Sequence, residues 1–438
     1  MKHLSIIFVF VFVLTFSISF AQTNWTKHGS PVLDPGPAGE WDDQRLGICS
    51  VLFDGSTYLM WYTADSVGGN LHDIGYATSA DGIIWTKYDD SNTPNPPFAE
   101  SDPVLSPGTP GSWDDDRVNM PCVILIDTVY HMWYTGADNP DPNEGAIGHA
   151  TSTNGITWEK NENNPVLDVG PPGSWEDEWV WDPWVLFDGS MYHMWYYAWN
   201  GIGEQNRIGH ATSPHPDGTW TKDPNNPVLS FENGKWDYPR ALAPCVIYDG
   251  NTFHMWYSGG QMLGYRIGYV TSEDGSQWTK FEDNPVLEVG SAGSWDDTMV
   301  GFCSVIDSAG SRYKMWYTGV NSVGVGCVGY ATAPHNPPVG IEDDLYHNSP
   351  GDFTLSQNYP NPFNPVTMIN YQLPMTSKVE LSIYNLLGQK VVTLVNQRQL
   401  AGSYQVQWDA SGFSSGIYIY SLETATGLKQ SRKLILLK

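Results

Sequence analysis

Along most of the chain, short apolar stretches alternate with polar turns in one recurring order. Five times the order runs Pro-Val-Leu, then Trp-Asp or Trp-Glu, then an apolar run such as GICSVLF or NMPCVIL. A turn follows, then a run holding Met-Trp-Tyr, then IGYATS, IGHATS, IGYVTS or VGYATA. Four copies close on a tryptophan that opens WTK or WEK, at Trp85, Trp158, Trp220 and Trp278. The Met-Trp-Tyr tryptophans are Trp61, Trp133, Trp195, Trp256 and Trp316, a period of 60 to 72 residues. The alternation in YHMWYTG and RIGYVTS has the period of two that suits strands. Asp-Gly at 54–55, 188–189 and 249–250 suits tight hairpin turns. Each unit therefore predicts four short strands.

Four strands per unit, repeated radially, make the blade of a β-propeller. The fifth unit stops after GYATAPHNPP without its closing WTK, and a spare copy stands at Asn24-Trp25-Thr26-Lys27. The N-terminal strand is therefore expected to complete the last blade, because an unpaired strand edge would expose a row of backbone groups. The predicted fold is all-β: a five-bladed β-propeller closed by the N-terminal strand. The runs KVELSIYNL and GIYIYSLE near the C-terminus alternate as well and predict a second, smaller β domain. Between the two lies NPPVGIEDDLYHNSPGD, a polar, Pro/Gly-rich linker. At the other end, Met1-Lys2-His3 precede an apolar run to Phe20 and then Ala21, the layout of a secretory signal. The expected boundaries are 1–21 for the signal, 22–336 for the propeller, 337–352 for the linker and 353–438 for the tail.

Charge divides along the same boundaries. Residues 22–352 hold 13 basic and 45 acidic side chains, whereas 353–438 hold seven basic and three acidic. A body this acidic repels phosphate backbones, which argues against a nucleic-acid partner. No segment after the signal is apolar for long enough to span a bilayer as a helix. The five cysteines, Cys49, Cys122, Cys245, Cys303 and Cys327, form no Cys-x-x-Cys. Four of them fall inside apolar strand patterns and read as small buried hydrophobes. A monomer is expected.

Subtracting what every unit shares isolates the candidate site. Fifteen of the twenty tryptophans occupy three repeat positions. Four of the other five, Trp179, Trp181, Trp184 and Trp199, fall in the third unit, whose SWEDEWVWDPWVLFDG departs furthest from the pattern. Aromatic faces there suit stacking on sugar rings. The acidic residues after the unit tryptophans (Asp42, Asp114, Glu176, Asp237, Asp296) recur in all five units and read as turn or cap residues. Asp182 stands where the other units have Ile48, Met120, Ala243 and Phe302. A carboxylate at an apolar position is costly unless paired, and tryptophans beside it raise its pKa. Asp182, Glu178 and Asp116 are thus candidate catalytic carboxyls, since sugar hydrolysis needs one protonated and one ionised group. Trp179, Trp181, Arg45, Arg117, Arg240 and Asn119 are the candidate substrate-binding residues, and a salt bridge of Asp182 to an arginine such as Arg117 is the structural alternative. The recurring histidines before Met-Trp-Tyr (131, 193, 254) and in IGHATS (149, 210) read as structural. No cofactor or metal is indicated, and a central cation cannot be read from the pattern.

The five units, with WDD, PxV, DG, YxMWYTG, IGYATSxDGxxWxK and NPVL, resemble the five-bladed propellers of glycoside hydrolase families 43, 32 and 130, over about residues 24–336. The resemblance implies carboxylates at the starts of inner strands of different blades, and Asp182-Pro183 matches the Asp-Pro found at such starts. The segments FTLSQNYPNPFNPVTMINYQLP, VELSIYNLLGQKVVTL, GSYQVQWDASGFSSGIYIYSL and QSRKLILLK resemble the type A sorting domain of the type IX secretion system. That resemblance implies an immunoglobulin-like β-sandwich, passage through the periplasm and outer membrane, and delivery to the surface or medium. The expected function is hydrolysis of glycosidic bonds in a poly- or oligosaccharide; the alternative is a non-catalytic glycan-binding or adhesion protein.

Overall fold

The computed structural model describes residues 23–65, 72–138, 145–201, 205–308 and 312–334, and most of 354–437. The expected signal and linker lie outside the described residues. The described chain is built from β-strands, with no α-helix among them. It divides into two compact units, 1–338 and 339–438.

In the first unit the strands of each sequence repeat pair antiparallel in chain order, and they assemble into sheets of nine, eight and four described strands, the two larger ones joining neighbouring repeats through parallel pairings at Arg45–Gly326 and Trp179–Gly145. The first strands of the repeats are Arg45–Phe53, Arg117–Ile126, Trp179–Phe187, Ala241–Tyr248 and Met299–Asp307. The second strand of each carries Met-Trp-Tyr and is buried on both faces, as in Tyr58–Asp65 and Phe253–Gly259. That double burial explains why these strands read as continuous apolar runs. The closing WTK strands are two residues long and pair with the third strands. In the fifth repeat that place is taken by Thr26–Lys27, with Thr26 opposite Thr332 and Lys27 opposite Ala331.

First strands contact one another in cyclic order: one with two, two with three, three with four, four with five, and five with one. A chain of hydrogen bonds runs the same way. The N–H groups of Val51, Val123 and Val185 donate to Ser304 Oγ, Ser50 Oγ and Cys122 Sγ of the preceding unit. Trp184 Nε1 donates to the Val246 carbonyl at 2.7 Å. Trp184 thus has a structural task in the repeat. All five cysteines are buried and free, as small hydrophobes would be.

Each repeat holds an ion pair whose acid is buried. Lys87, Lys160, Lys222 and Lys280 of the closing strands bind Asp42, Asp114, Glu176 and Asp237 of their own repeats. Lys27 binds Asp296 at 2.7 Å, across 269 residues of sequence. In repeats two to five the tyrosine of Met-Trp-Tyr donates to the same carboxylate. These acids stand in turns, as expected, and each is in addition an internal ion-pair partner.

The second unit is a small domain of two sheets. One holds Thr354–Leu355, Val366–Leu373 and Gly402–Asp409; the other holds Ser377–Tyr384, Lys390–Gln399, Gly416–Thr424 and Lys429–Leu436. Ile369, Tyr371 and Trp408 of the first sheet share one core with Leu381, Ile383 and Tyr420 of the second.

Candidate functional site

The site is built on a feature every unit shares. Each first strand bulges at its third or fourth residue: Ile48, Met120, Asp182, Ala243 and Phe302 have φ between +44° and +55°. Non-glycine residues avoid this left-handed region, so something must hold it. In four units the holder is a hydroxyl on the second strand of the preceding unit. Ile48, Met120, Asp182 and Phe302 donate their N–H to Thr318, Thr63, Thr135 and Ser258 at 2.8 to 2.9 Å. Asp182 has therefore inherited its backbone from the repeat, and only its side chain is new.

That side chain is 8% exposed. Its Oδ2 is buried and without a hydrogen-bond partner. Burial alone raises its pKa from 3.8 to about 8, so the carboxyl is protonated at neutral pH. It lines a cavity of about 10 Å³, room for one water at most, with Ile48, Cys49, Pro121, Trp184, Ala243, Pro244, Phe302 and Cys303. The alternative reading, a salt bridge to Arg117, is not what forms. Arg117 instead binds its neighbour Asp116 at 2.8 Å.

The other candidates surround this point unevenly. Trp179 and Trp181 project from the same face of their strand, their rings 4.8 Å apart. Trp199 continues the row beyond Trp179 at 4.6 Å, and Tyr197 meets Trp181 edge-on at 6.3 Å. Trp179 and Trp181 are half-buried, and their indole N–H groups have no partner. Asn119, on the neighbouring unit, is buried with Oδ1 unpartnered. Three unmet polar groups and Asp182 Oδ2 thus lie along the starts of two adjacent first strands. Gly145 makes room for Trp181: a Cβ there would overlap the indole nitrogen. Glu178 lies against Gly201 in the loop after its hairpin. Arg45 lays its stem over Gly326, and Arg240 is buried. No described contact joins Asp182 to Glu178 or Asp116.

Two residues outside the predicted set belong to this neighbourhood. Tyr197 and Tyr265 are buried, and Asp182, Tyr265 and Arg240 all act electrostatically on the Tyr197 hydroxyl. Tyr197 had a signal in the sequence: YHMWYYAW places a tyrosine where the sibling strands have threonine or serine. Tyr265 lies in a loop between strands, where no repeat position flags it.

The histidines pair with each other, as structural residues do. His131 meets His149, and His193 meets His210, each at 3.0 Å. Among the described residues no group of three His, Cys, Asp or Glu side chains could hold a metal ion. No helix of the described residues is long and apolar enough to cross a membrane.

Comparison with known proteins sorts these features. The chain is 31% identical over 224 residues to an uncharacterized protein of Mycobacterium tuberculosis, covering 49% of this chain and 72% of that protein. The chain belongs to the same family as this mycobacterial protein. It is also 28% identical over 136 residues to a 1,2-beta-oligomannan phosphorylase of Thermoanaerobacter sp., spanning 30% of this chain and 41% of the phosphorylase. Two solved structures share the fold. One is a thermostable family-43 glycoside hydrolase, at 18% identity and TM-score 0.52, covering 73% of this chain and all of that one. The other is described under the GH130 family of mannoside phosphorylases, which contains glycoside hydrolases that target beta-1,2 mannosidic linkages in Candida mannan. It is 17% identical with TM-score 0.53, over 73% of this chain and 98% of the other. Residues 357–437 match the secretion system C-terminal sorting domain. The protein is therefore handled by type IX secretion and is secreted or attached at the cell surface.

Proposed function

We propose that this protein is a carbohydrate-active enzyme that cleaves glycosidic bonds at the mouth of a central channel, with Asp182 as its proton-donating carboxyl. The observation that carries the reading is Asp182 itself. It is a buried, unpaired carboxyl, protonated at neutral pH, in a ring where the sibling strands place Ile48, Met120, Ala243 and Phe302. Such a group costs stability and is what a general acid working near neutrality requires. Glu178 and Asp116 are its proposed carboxylate partners. Trp179 and Trp181 supply stacking surface, and Arg45, Arg117, Arg240 and Asn119 bind sugar hydroxyls.

The proposed scaffold is a five-bladed propeller closed by the N-terminal strand. The cyclic contacts of the first strands, the pairing of Thr26–Lys27 with Ala331–Thr332, and the Lys27–Asp296 ion pair support it. Its proposed limits are 22–336, after a signal of 1–21 and before a linker of 337–352 and an immunoglobulin-like sorting domain of 353–438.

The test is sugar release from a polysaccharide panel that includes β-1,2-mannan, with and without phosphate. Wild type should release sugars, and Asp182→Asn should lower the rate by about 10²–10⁴-fold while glycan binding persists. Sugar phosphate formed only with phosphate present would mean phosphorolysis in place of hydrolysis. Binding by wild type without release from any glycan would establish the second reading, a glycan-binding protein, which the aromatic row Trp199–Trp179–Trp181 favours by itself.

A further inference from the structure

The third unit departs from its siblings on two strands. On the second strand, Thr63, Thr135, Ser258 and Thr318 stand opposite Gly47, Asn119, Leu242 and Gly301. In the third unit the pair is Tyr197 opposite Trp181. The four small hydroxyls each hold the bulge N–H of the next unit. Tyr197 carries its hydroxyl at the far side of a ring, and among the described residues no hydroxyl takes the N–H of Ala243. The repeat thus gives up one buried hydrogen bond, at a cost of about 1 kcal/mol.

The neighbouring substitutions make sense of that loss. Ala243 is the smallest of the five bulge side chains, which clears space where the Tyr197 ring enters. Tyr197, Ala243, Tyr265, Met299 and the partly buried Trp181 pack in one cluster with Ile48, Met120 and Phe302. Tyr197 is 6% exposed, and its hydroxyl lies within the electrostatic reach of Asp182 and Arg240. Asp182, Ala243 and Tyr197 have changed together, on three strands that meet at one point. The other bulge side chains, Ile48, Met120, Ala243 and Phe302, are apolar and cannot answer the charge that Asp182 acquires when it gives up its proton.

Deepening the reading above, on which it rests, we infer that Tyr197 is a positioning residue for Asp182: its hydroxyl, beside the Arg240 charge, receives the carboxylate once its proton has passed to the leaving oxygen. Tyr197 keeps its own proton and donates a hydrogen bond. The carboxylate is thereby held in a state from which it can take a proton back. Removing that donor penalises the ionised form and moves its titration upward.

The experiment is a double-mutant cycle in the full mature chain, read as melting temperature from pH 5 to pH 10. Wild type, Tyr197→Phe, Asp182→Asn and the double variant are compared. Because the fold prefers protonated Asp182, the contribution of this group to wild-type stability falls as pH rises and levels off above the titration, near pH 8. In Tyr197→Phe the levelling should come about one pH unit higher, so the two curves diverge only at the alkaline end. In the Asp182→Asn background Tyr197→Phe should produce no divergence. A constant offset at every pH, or a divergence that survives in Asp182→Asn, overturns the inference and leaves Tyr197 a packing residue. Titration of 13Cγ-labelled Asp182 gives the same answer directly: an unshifted resonance in Tyr197→Phe overturns it. Neither readout needs activity, so a protein that cleaves no glycan yet shows the divergence would defeat the enzymatic reading and leave the coupling intact.

Discussion

At the residue scale the chain sets two kinds of buried titratable group against each other. Burial pushes His149 and His210 down to about 4 from an ordinary 6.5. Burial pushes Asp182 up to about 8 from 3.8. The signs are opposite. A histidine whose folded pKa is depressed stabilises the fold above 6.5 and loses that contribution as pH falls toward 4. A carboxyl whose folded pKa is raised helps below 3.8 and loses its contribution as pH rises toward 8. The melting temperature should therefore fall on both sides of mildly acidic pH. Asp182→Asn should flatten the alkaline limb and leave the acid limb in place. If the alkaline limb survives the substitution, Asp182 is not the group that titrates there. The site was legible at this scale in part. Asp182 broke a repeated apolar position, which a sequence displays. Tyr197 broke a repeated small hydroxyl position as well, but that it and Arg240 lie near Asp182 was not legible, because they become neighbours only when their elements meet.

At the scale of the element, each short closing strand is held by one lysine. Lys280 meets Asp237, which is 1% exposed and also takes the Tyr257 hydroxyl. Removing the lysine leaves that charge buried and uncompensated. Lys280→Met should cost about 2–4 kcal/mol in urea unfolding. Replacing both partners with apolar residues should cost less, since the lone buried charge is the expensive state. The N-terminal strand repeats this arrangement with Lys27 and Asp296, and Trp25 packs edge-on against Trp256 at 6.0 Å. Trp25→Ala should lower stability by about 2 kcal/mol. If it leaves the melting temperature unchanged, the strand does not help to fasten the fifth repeat.

At the scale of the molecule, two compact units have separate cores. Residues 22–340 alone should fold with a melting transition like that of the first unit in the full chain. The same truncation should abolish delivery to the cell surface, because the sorting domain is gone. An insoluble truncation, beside a soluble full chain, would place the domain boundary elsewhere.

The sequence by itself determined whatever repeats or alternates. Period-two runs, turn residues at fixed offsets and a missing closing strand are local, and local pattern encodes which stretches become strands. The pairing of Thr26–Lys27 with the fifth repeat followed from counting. The sorting domain was legible through its resemblance to known sorting domains, which residues 357–437 match. Only the tertiary structure decided which side chains face each other. The acids after each unit tryptophan read as turn residues and stand in turns, but nothing in their spacing reveals a lysine 43 to 46 residues later for Asp42, Asp114 and Asp237, or 269 residues earlier for Asp296. The bulge that aims Asp182 inward is equally invisible. It recurs in all five units, held by a hydroxyl of the preceding unit in four of them, and a left-handed φ leaves no mark on residues as varied as Ile48, Met120, Asp182, Ala243 and Phe302. Burial set the charge state of Asp182, and burial is a property of neighbours that the chain brings from far along its length.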